Sequence, residues 1–273
     1  METLILSGAG VKGIYYVGIY KSLLEHNIIN YDNLKHIISC SSGCIFGLCI
    51  LLNYSIDFIE IILNKLEFNS FLDYGDLDDI FNKNGLFKFD DISNFLRLLI
   101  YHKYKCEDIT LKEFYDKTEK EFIIKVYNYT DKKDEYISYL TNPDLQVITA
   151  ISMSCSIPFF FKQIEYNGKL YIDGGITGST PEINDDKYNN KISIKINSNN
   201  KYDKDCEDED FISYITNIIS IGIKKKTPIS IYDIRIPCIK NISLTDFHIT
   251  SDDKKEMIEH SKLLTDIHIY KYL

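Results

Sequence analysis

Twice within its first fifty residues the chain runs a short apolar stretch into a turn of small residues and straight out into a helix. Thr3 to Leu6 leads into Ser7-Gly8-Ala9-Gly10-Val11-Lys12-Gly13, after which Ile14, Tyr15, Val17, Gly18 and Leu24 follow at helical spacing. His36 to Ser39 leads into a second small-residue turn, and a continuous apolar helix is predicted from about Ser42 to Leu52. Strands that alternate with helices through glycine turns predict an α/β sandwich. In such a fold the functional site lies at the carboxyl edge of the sheet.

The rest of the chain is compatible with that frame. Helices are predicted over about 56–66 and 91–104, and Thr110-Leu111-Lys112-Glu113 has the pattern of a capping box that starts another. Glu121 to Thr130 and Glu135 to Leu140 flank a polar turn and read as a hairpin or neighbouring strands. A short helix over Leu145 to Cys155 closes at Ile157-Pro158. Phe159 to Tyr166 and Lys169 to Asp173 then flank an Asn167-Gly168 turn. Lys191 to Ile196 is a late strand, 197–210 a polar surface loop, and 211–224 and 252–270 amphipathic helices. With no internal repeat and no Pro/Gly/Ser-rich linker, residues 1–273 read as one domain.

Bulk properties remove some functions. The formal charge is −9 and no basic face is evident, which disfavours nucleic acid and long-range attraction to an anionic membrane. An apolar rim can still hold a bilayer, so peripheral membrane contact stays open. The longest apolar run, Cys44 to Leu52, is far short of the ~20 residues that cross a bilayer. Seven cysteines without paired spacing read as reduced thiols, and the first residues lack a basic leader. Both point to the cytoplasm or another reducing compartment.

Three segments carry candidate chemistry. In Ser39-Cys40-Ser41-Ser42-Gly43, Ser41 sits where a nucleophile would stand on a tight strand-to-helix bend. Ser39 and Gly43 are the small neighbours such an elbow needs, and the following helix points its positive end at the hydroxyl. The competing reading is a serine that caps the helix. Gly8 to Gly13 can turn amides toward an oxyanion, but the same letters satisfy a dinucleotide-binding pattern. That second fold expects an acid at the end of the next strand, where this chain has Ser39 and then Ser41. Asp173, exposed by Gly174 and Gly175, can take a hydroxyl proton; alone it would read as a turn aspartate. None of the six histidines lies in comparable turn chemistry, although a Ser-His-Asp triad is not excluded.

Together, Gly8-Ala9-Gly10-Val11-Lys12-Gly13, Ser39-Cys40-Ser41-Ser42-Gly43 and Asp173-Gly174-Gly175 resemble the patatin-like phospholipase family in order and approximate spacing. Ala150 to Pro158, continuing to Pro181, is similar to the family's block around its catalytic aspartate. The resemblance implies a three-layer α/β/α fold with a mainly parallel sheet, and a Ser-Asp dyad in place of a triad. Ser41 would be the nucleophile, Asp173 the base, and Gly8, Ala9, Gly10, Val11, Lys12 and Gly13 the oxyanion loop. Ala9 and Ser39 stand where the family has glycine, and Lys12 where it carries Arg or Lys. The implied activity is acyl-lipid hydrolysis through an acyl-enzyme, on a phospholipid or other acyl lipid, with no metal or cofactor. Phe159, Phe160 and Phe161 are candidates for an acyl groove, against the plainer reading of an aromatic core run. The rival function is a scaffold that binds lipid or a protein partner without turnover.

Overall fold

A computed structural model of the protein describes residues 1–68, 85–87, 89–197, 230, 232–239 and 248–273. The expected polar stretch after Asn197 and the amphipathic segment over 211–224 lie outside the described residues.

Among the described residues there are ten strands and seven α-helices. The strands are β1 (Thr3–Leu6), β2 (His36–Cys40), β3 (Gly85–Phe87), β4 (Glu121–Asn128), β5 (Lys133–Ile137), β6 (Phe159–Phe161), β7 (Ile164–Tyr166), β8 (Lys169–Asp173), β9 (Lys191–Asn197) and β10 (Asp233–Pro237). The helices are α1 (Tyr15–Glu25), α2 (Ser42–Leu51), α3 (Ile56–Lys65), α4 (Asp90–Tyr104), α5 (Leu111–Thr118), α6 (Val147–Cys155) and α7 (Ser251–Tyr272). The architecture is α/β, a central sheet flanked by helices, as the sequence predicted.

The sheet runs β10-β9-β1-β2-β4-β8-β7, with β5 paired to β4 off that path. Strands β10, β9, β1, β2 and β4 are mutually parallel, while β5, β7 and β8 pair antiparallel. Strand β10, at the edge, was not foreseen. The Asn167-Gly168 turn closes the β7–β8 hairpin with both residues at positive φ, 50° and 71°, as a two-residue loop requires.

Side chains alternate across the sheet. Leu4, Leu6, Ile37, Phe122 and Ile124 face the large core, whereas Ile5, Ile38 and Ile123 meet Tyr188 in a small cluster on the opposite face. The helices start where the sequence provides caps. Ser55 accepts from the Phe58 amide, Thr110 and Glu113 form the predicted capping box, and Thr250 with Asp253 forms another.

Helix α7 is tied to the first half of the chain by several contacts, including an ion pair from Lys262 to Glu25 and a bond from the Ser22 hydroxyl to Asp266. A Cβ on Gly18 of α1 would lie 2.0 Å from the Ile258 carbonyl oxygen, so only glycine lets the two helices approach this closely. The buried Lys254 donates to the carbonyls of Leu63 and Leu66, satisfying the C-terminal end of α3. Among the described residues, no helix is long and apolar enough to cross a membrane.

Candidate active site

The pairing register of β4 explains how two distant segments meet. Strand β2 pairs with Glu121 to Lys125, β8 with Val126 to Asn128, and β5 with Ile124 to Asn128. Because β5 overlaps both of the others, it takes one edge of β4 while β2 and β8 share the opposite edge. Strand β2 therefore climbs that edge as far as Lys125, and β8 descends it as far as Val126. The two strands end head to head, and the next residues off their tips are Ser41 and Gly174.

Ser41 is the bend itself. It has φ 51° and ψ −130°, a conformation that costs a non-glycine residue of order 1–3 kcal/mol and persists only when its surroundings enforce it. Its amide donates to Ser154 Oγ at 2.9 Å, and Ser154 in turn donates to the Lys125 carbonyl at 2.6 Å. Two glycines allow the crowding on either side. A Cβ on Gly43 would come within 2.7 Å of the Ser7 carbonyl oxygen, and one on Gly174 within 2.5 Å of the Lys125 carbonyl oxygen.

The Ser41 hydroxyl donates to Asp173 Oδ2 at 2.6 Å, and the Gly175 amide donates to Oδ1 at 2.6 Å. Ser41 makes no capping bond to α2, which removes the helix-cap reading. Both residues are buried, 6% and 5% exposed. Burial is the largest influence on the Asp173 carboxyl and raises it to about 6, while the bonds from Ser41 and Gly175 and the charge of Lys125 pull it down. The carboxylate is thus mostly ionised at neutral pH yet held near the point of accepting a proton. Cys40, Cys44 and Cys155 surround the pair, and burial pushes all three thiols up, Cys44 to about 12. They are neutral packing here and not competing nucleophiles.

Facing the serine, residues Gly10 to Ile14 form a single 3₁₀ turn, with Gly10 at φ 55°. The Lys12 amide bonds the Ala9 carbonyl, which leaves the Gly10 and Val11 amides at the start of the turn without acceptors inside it. The Ala9 amide, expected to face an oxyanion, instead donates to Ser42 Oγ at 3.1 Å and anchors the loop to α2. The Ala9 amide is thereby committed to α2, and the Gly10 and Val11 amides are the ones the turn leaves over. Lys12 is buried behind the loop near Cys238, and loss of water lowers its ammonium.

Comparison with known proteins gives this arrangement its relatives. The patatin-like phospholipase family model matches residues 4–183. The chain belongs to that family. A probable lipid hydrolase of Invertebrate iridescent virus 6 is 32% identical over 199 residues, which cover 71% of this chain and 66% of that protein. An uncharacterized protein of Acanthamoeba polyphaga mimivirus is 28% identical over 206 residues, covering 74% and 68%. VipD from Legionella pneumophila has the same fold, with a TM-score of 0.75 at 16% identity over 99% of this chain and 67% of that one. The matched stretch thus spans about two thirds of each of these relatives.

Of the residues singled out from the sequence, Ser41, Asp173, Gly8 to Gly13, Ser39, Gly43, Gly174 and Gly175 come together at one end of the sheet. Ser39, at the family's glycine position, donates to Cys44 Sγ at 3.1 Å and is accommodated without strain. The Phe159–Phe161 groove needs correction. Strand β6 pairs with β3 in a separate two-stranded sheet. That turns Phe160 and Phe161 into the core against Phe87 and Phe89, at ring separations of 4.6 and 5.2 Å, while Phe159 is half exposed at φ 68°.

An apolar cavity of about 120 Å³ lies instead beside Gly10, Val11 and Ser42, between α2, α3 and α4. Sequence reading also missed Lys125. Its buried ammonium donates to Thr177 Oγ1 at 3.1 Å and the Gly178 carbonyl at 2.8 Å, pinning the loop that follows Asp173. A lone lysine in an apolar strand gives no local signal of such a task.

Proposed function

We propose that this member of the patatin-like family is a lipid acyl hydrolase that cleaves carboxylic esters through a Ser41–Asp173 dyad. The observation that carries the reading is the 2.6 Å bond from the Ser41 hydroxyl to Asp173, made by a serine in a strained elbow and an acid raised to about 6. A base with that affinity can take the hydroxyl proton as Ser41 attacks the ester carbonyl. The Gly10, Val11, Ser42 and Gly43 amides then stabilise the oxyanion, aided by the positive end of α2. Asp173 returns its proton to the departing alcohol, and water activated by the same carboxylate releases the acyl-enzyme. The substrate class is a phospholipid or other acyl lipid, in keeping with the probable lipid hydrolase among the relatives.

A fluorophosphonate probe tests the assignment. Labelling is expected with the wild-type protein and absent in Ser41→Ala, and strongly slowed in Asp173→Asn. Labelling that survives Ser41→Ala would remove Ser41 from the mechanism.

A further inference from the structure

The cavity beside the oxyanion loop has one open question: what part of a substrate it accepts. Its lining begins at the dyad end with Gly10, Val11 and Ser42. It continues down α2 through Ile45, Phe46 and Cys49, a stripe at i+3, i+4 and i+7 from Ser42. Seven residues of helix advance about 10 Å. At the far end stands Tyr54, whose amide bonds the Cys49 carbonyl at 3.1 Å and so places it against the last turn of α2.

The walls offer almost nothing polar. Ile59 and Ile62 of α3 and Phe95 and Leu99 of α4 close the sides, and among the described residues no charged one lines the space. Ser42 Oγ already accepts from Ala9, and the Tyr54 hydroxyl donates to the Leu99 carbonyl at 2.9 Å. The Cys49 thiol is pushed up to about 12 by burial and stays neutral. Beyond the Gly10 and Val11 amides at its mouth, a head group, sugar or nucleotide would lose its hydrogen bonds to water and find no replacement among the described residues. An alkyl chain loses nothing.

Tyr54 is also a fixed end wall. Besides the Leu99 carbonyl, its hydroxyl meets His102 Nδ1 at 3.0 Å. Its ring stacks on Phe58 at 4.8 Å, with Lys103 Nζ 4.4 Å from the ring centre. A side chain held from four directions does not swing aside to admit a longer ligand.

We infer that this cavity is the acyl-chain site and that it measures chain length, with Tyr54 as its stop. The inference rests on the proposed Ser41–Asp173 hydrolase and adds to it a substrate preference. C–C bonds of about 1.5 Å in a zigzag advance roughly 1.3 Å per carbon, so about 10 Å holds roughly eight carbons. The volume of about 120 Å³ is below the ~150 Å³ of an apolar cavity that takes a benzene ring, so the length sets an upper bound on the chain held. The favoured acyl group is therefore no longer than about octanoyl, and longer chains must leave their ends outside.

The test is a series of p-nitrophenyl esters from acetate to palmitate. In the wild type, kcat/KM rises about threefold to fourfold per methylene up to octanoate, then levels or falls. Cys49→Phe, which fills the cavity from α2, is expected to lower octanoate turnover by roughly a hundredfold and acetate turnover by less than about threefold. Tyr54→Ala moves the optimum toward laurate. Acetate turnover reports that each variant is folded.

Octanoate binding to the Ser41→Ala protein, read as a thermal shift, tests the cavity without turnover. Octanoate is expected to exceed butyrate there, and Cys49→Phe to erase the difference. Ser41-dependent acetate turnover with a chain-length profile that neither variant moves would overturn the acyl-site inference and leave the hydrolase standing. Octanoate binding without any esterase activity would overturn the hydrolase and leave the cavity.

Discussion

Two buried polar clusters sit at opposite ends of the same strands, and they are built on opposite terms. At the amino end, where β2 and β4 begin, His36 bonds Thr3 Oγ1 at 3.0 Å and packs edge-on to Tyr188. Glu121 there is 3% exposed, but it accepts from the Tyr188 hydroxyl and is ion-paired to Lys187 at 2.5 Å. At the carboxyl end, Asp173 is as deeply buried, yet among the described residues no lysine or arginine lies within salt-bridge distance of it. Its bonds come from the Ser41 hydroxyl, the Gly175 amide and, at 3.9 Å, the Cys40 thiol, all neutral donors, and its carboxyl is raised to about 6. Burial alone therefore does not mark a site. What distinguishes this end is a buried acid with no ion pair among the described residues, beside a strained hydroxyl.

The largest effect that could break this contrast is on turnover. Ser41→Ala and Asp173→Asn should each lower kcat/KM by about 10⁴-fold or more, while Glu121→Gln leaves it within about twofold. Equal losses at the two ends would mean that the clusters are not functionally different.

Lys125→Met comes next, since it frees the loop behind Asp173 without touching the dyad. A misplacement of about 1 Å in a catalytic group costs on the order of 10²-fold, and a loss approaching that is expected. The same variant withdraws a positive charge that lowers the Asp173 carboxyl. The acid limb of its pH–rate profile should therefore move upward from the wild-type position near 6, whereas a merely destabilised protein would keep that position.

Stability should respond with opposite signs at the two ends. Asp173 is raised from 3.8 to about 6 on folding, so the folded chain holds a proton more tightly than the unfolded one. Its contribution to stability is complete below about pH 4 and is lost as pH rises through about 6. Asp173→Asn removes a neutral-pH penalty of about 3 kcal/mol and should raise the thermal midpoint near pH 8, with the gain fading toward pH 4. Glu121→Gln should lower it by about 1–3 kcal/mol, because Lys187 and Tyr188 lose a charged partner. An inactive Asp173→Asn protein that is also less stable at pH 8 would contradict the desolvated acid.

The same contrast sets the limits of sequence reading. Ser41, Gly43, Asp173 and Gly174 were legible because bends and close approaches restrict residue type locally. The order of the early strands and helices followed from the same turns. Lys125, Ser154 and the Ala9–Ser42 bond were not, because their roles exist only once β4 has brought β2 and β8 to one edge. Phe159–Phe161 stood as a candidate groove, and not as settled core, for a related reason. An aromatic run shows that something is buried, but the side of the molecule is decided by β3, some seventy residues earlier. Cavity walls drawn from four separate helices and loops leave no contiguous trace.

The contact at Gly18 has a consequence for anyone who would move this site elsewhere. The family match covers residues 4–183, yet the helix that continues from the Gly10–Ile14 turn leans on Ile258, far outside that stretch. A graft of the matched segment alone would transplant the reactive groups without the buttress that keeps their cradle in place. The last helix and the first are packed as one piece.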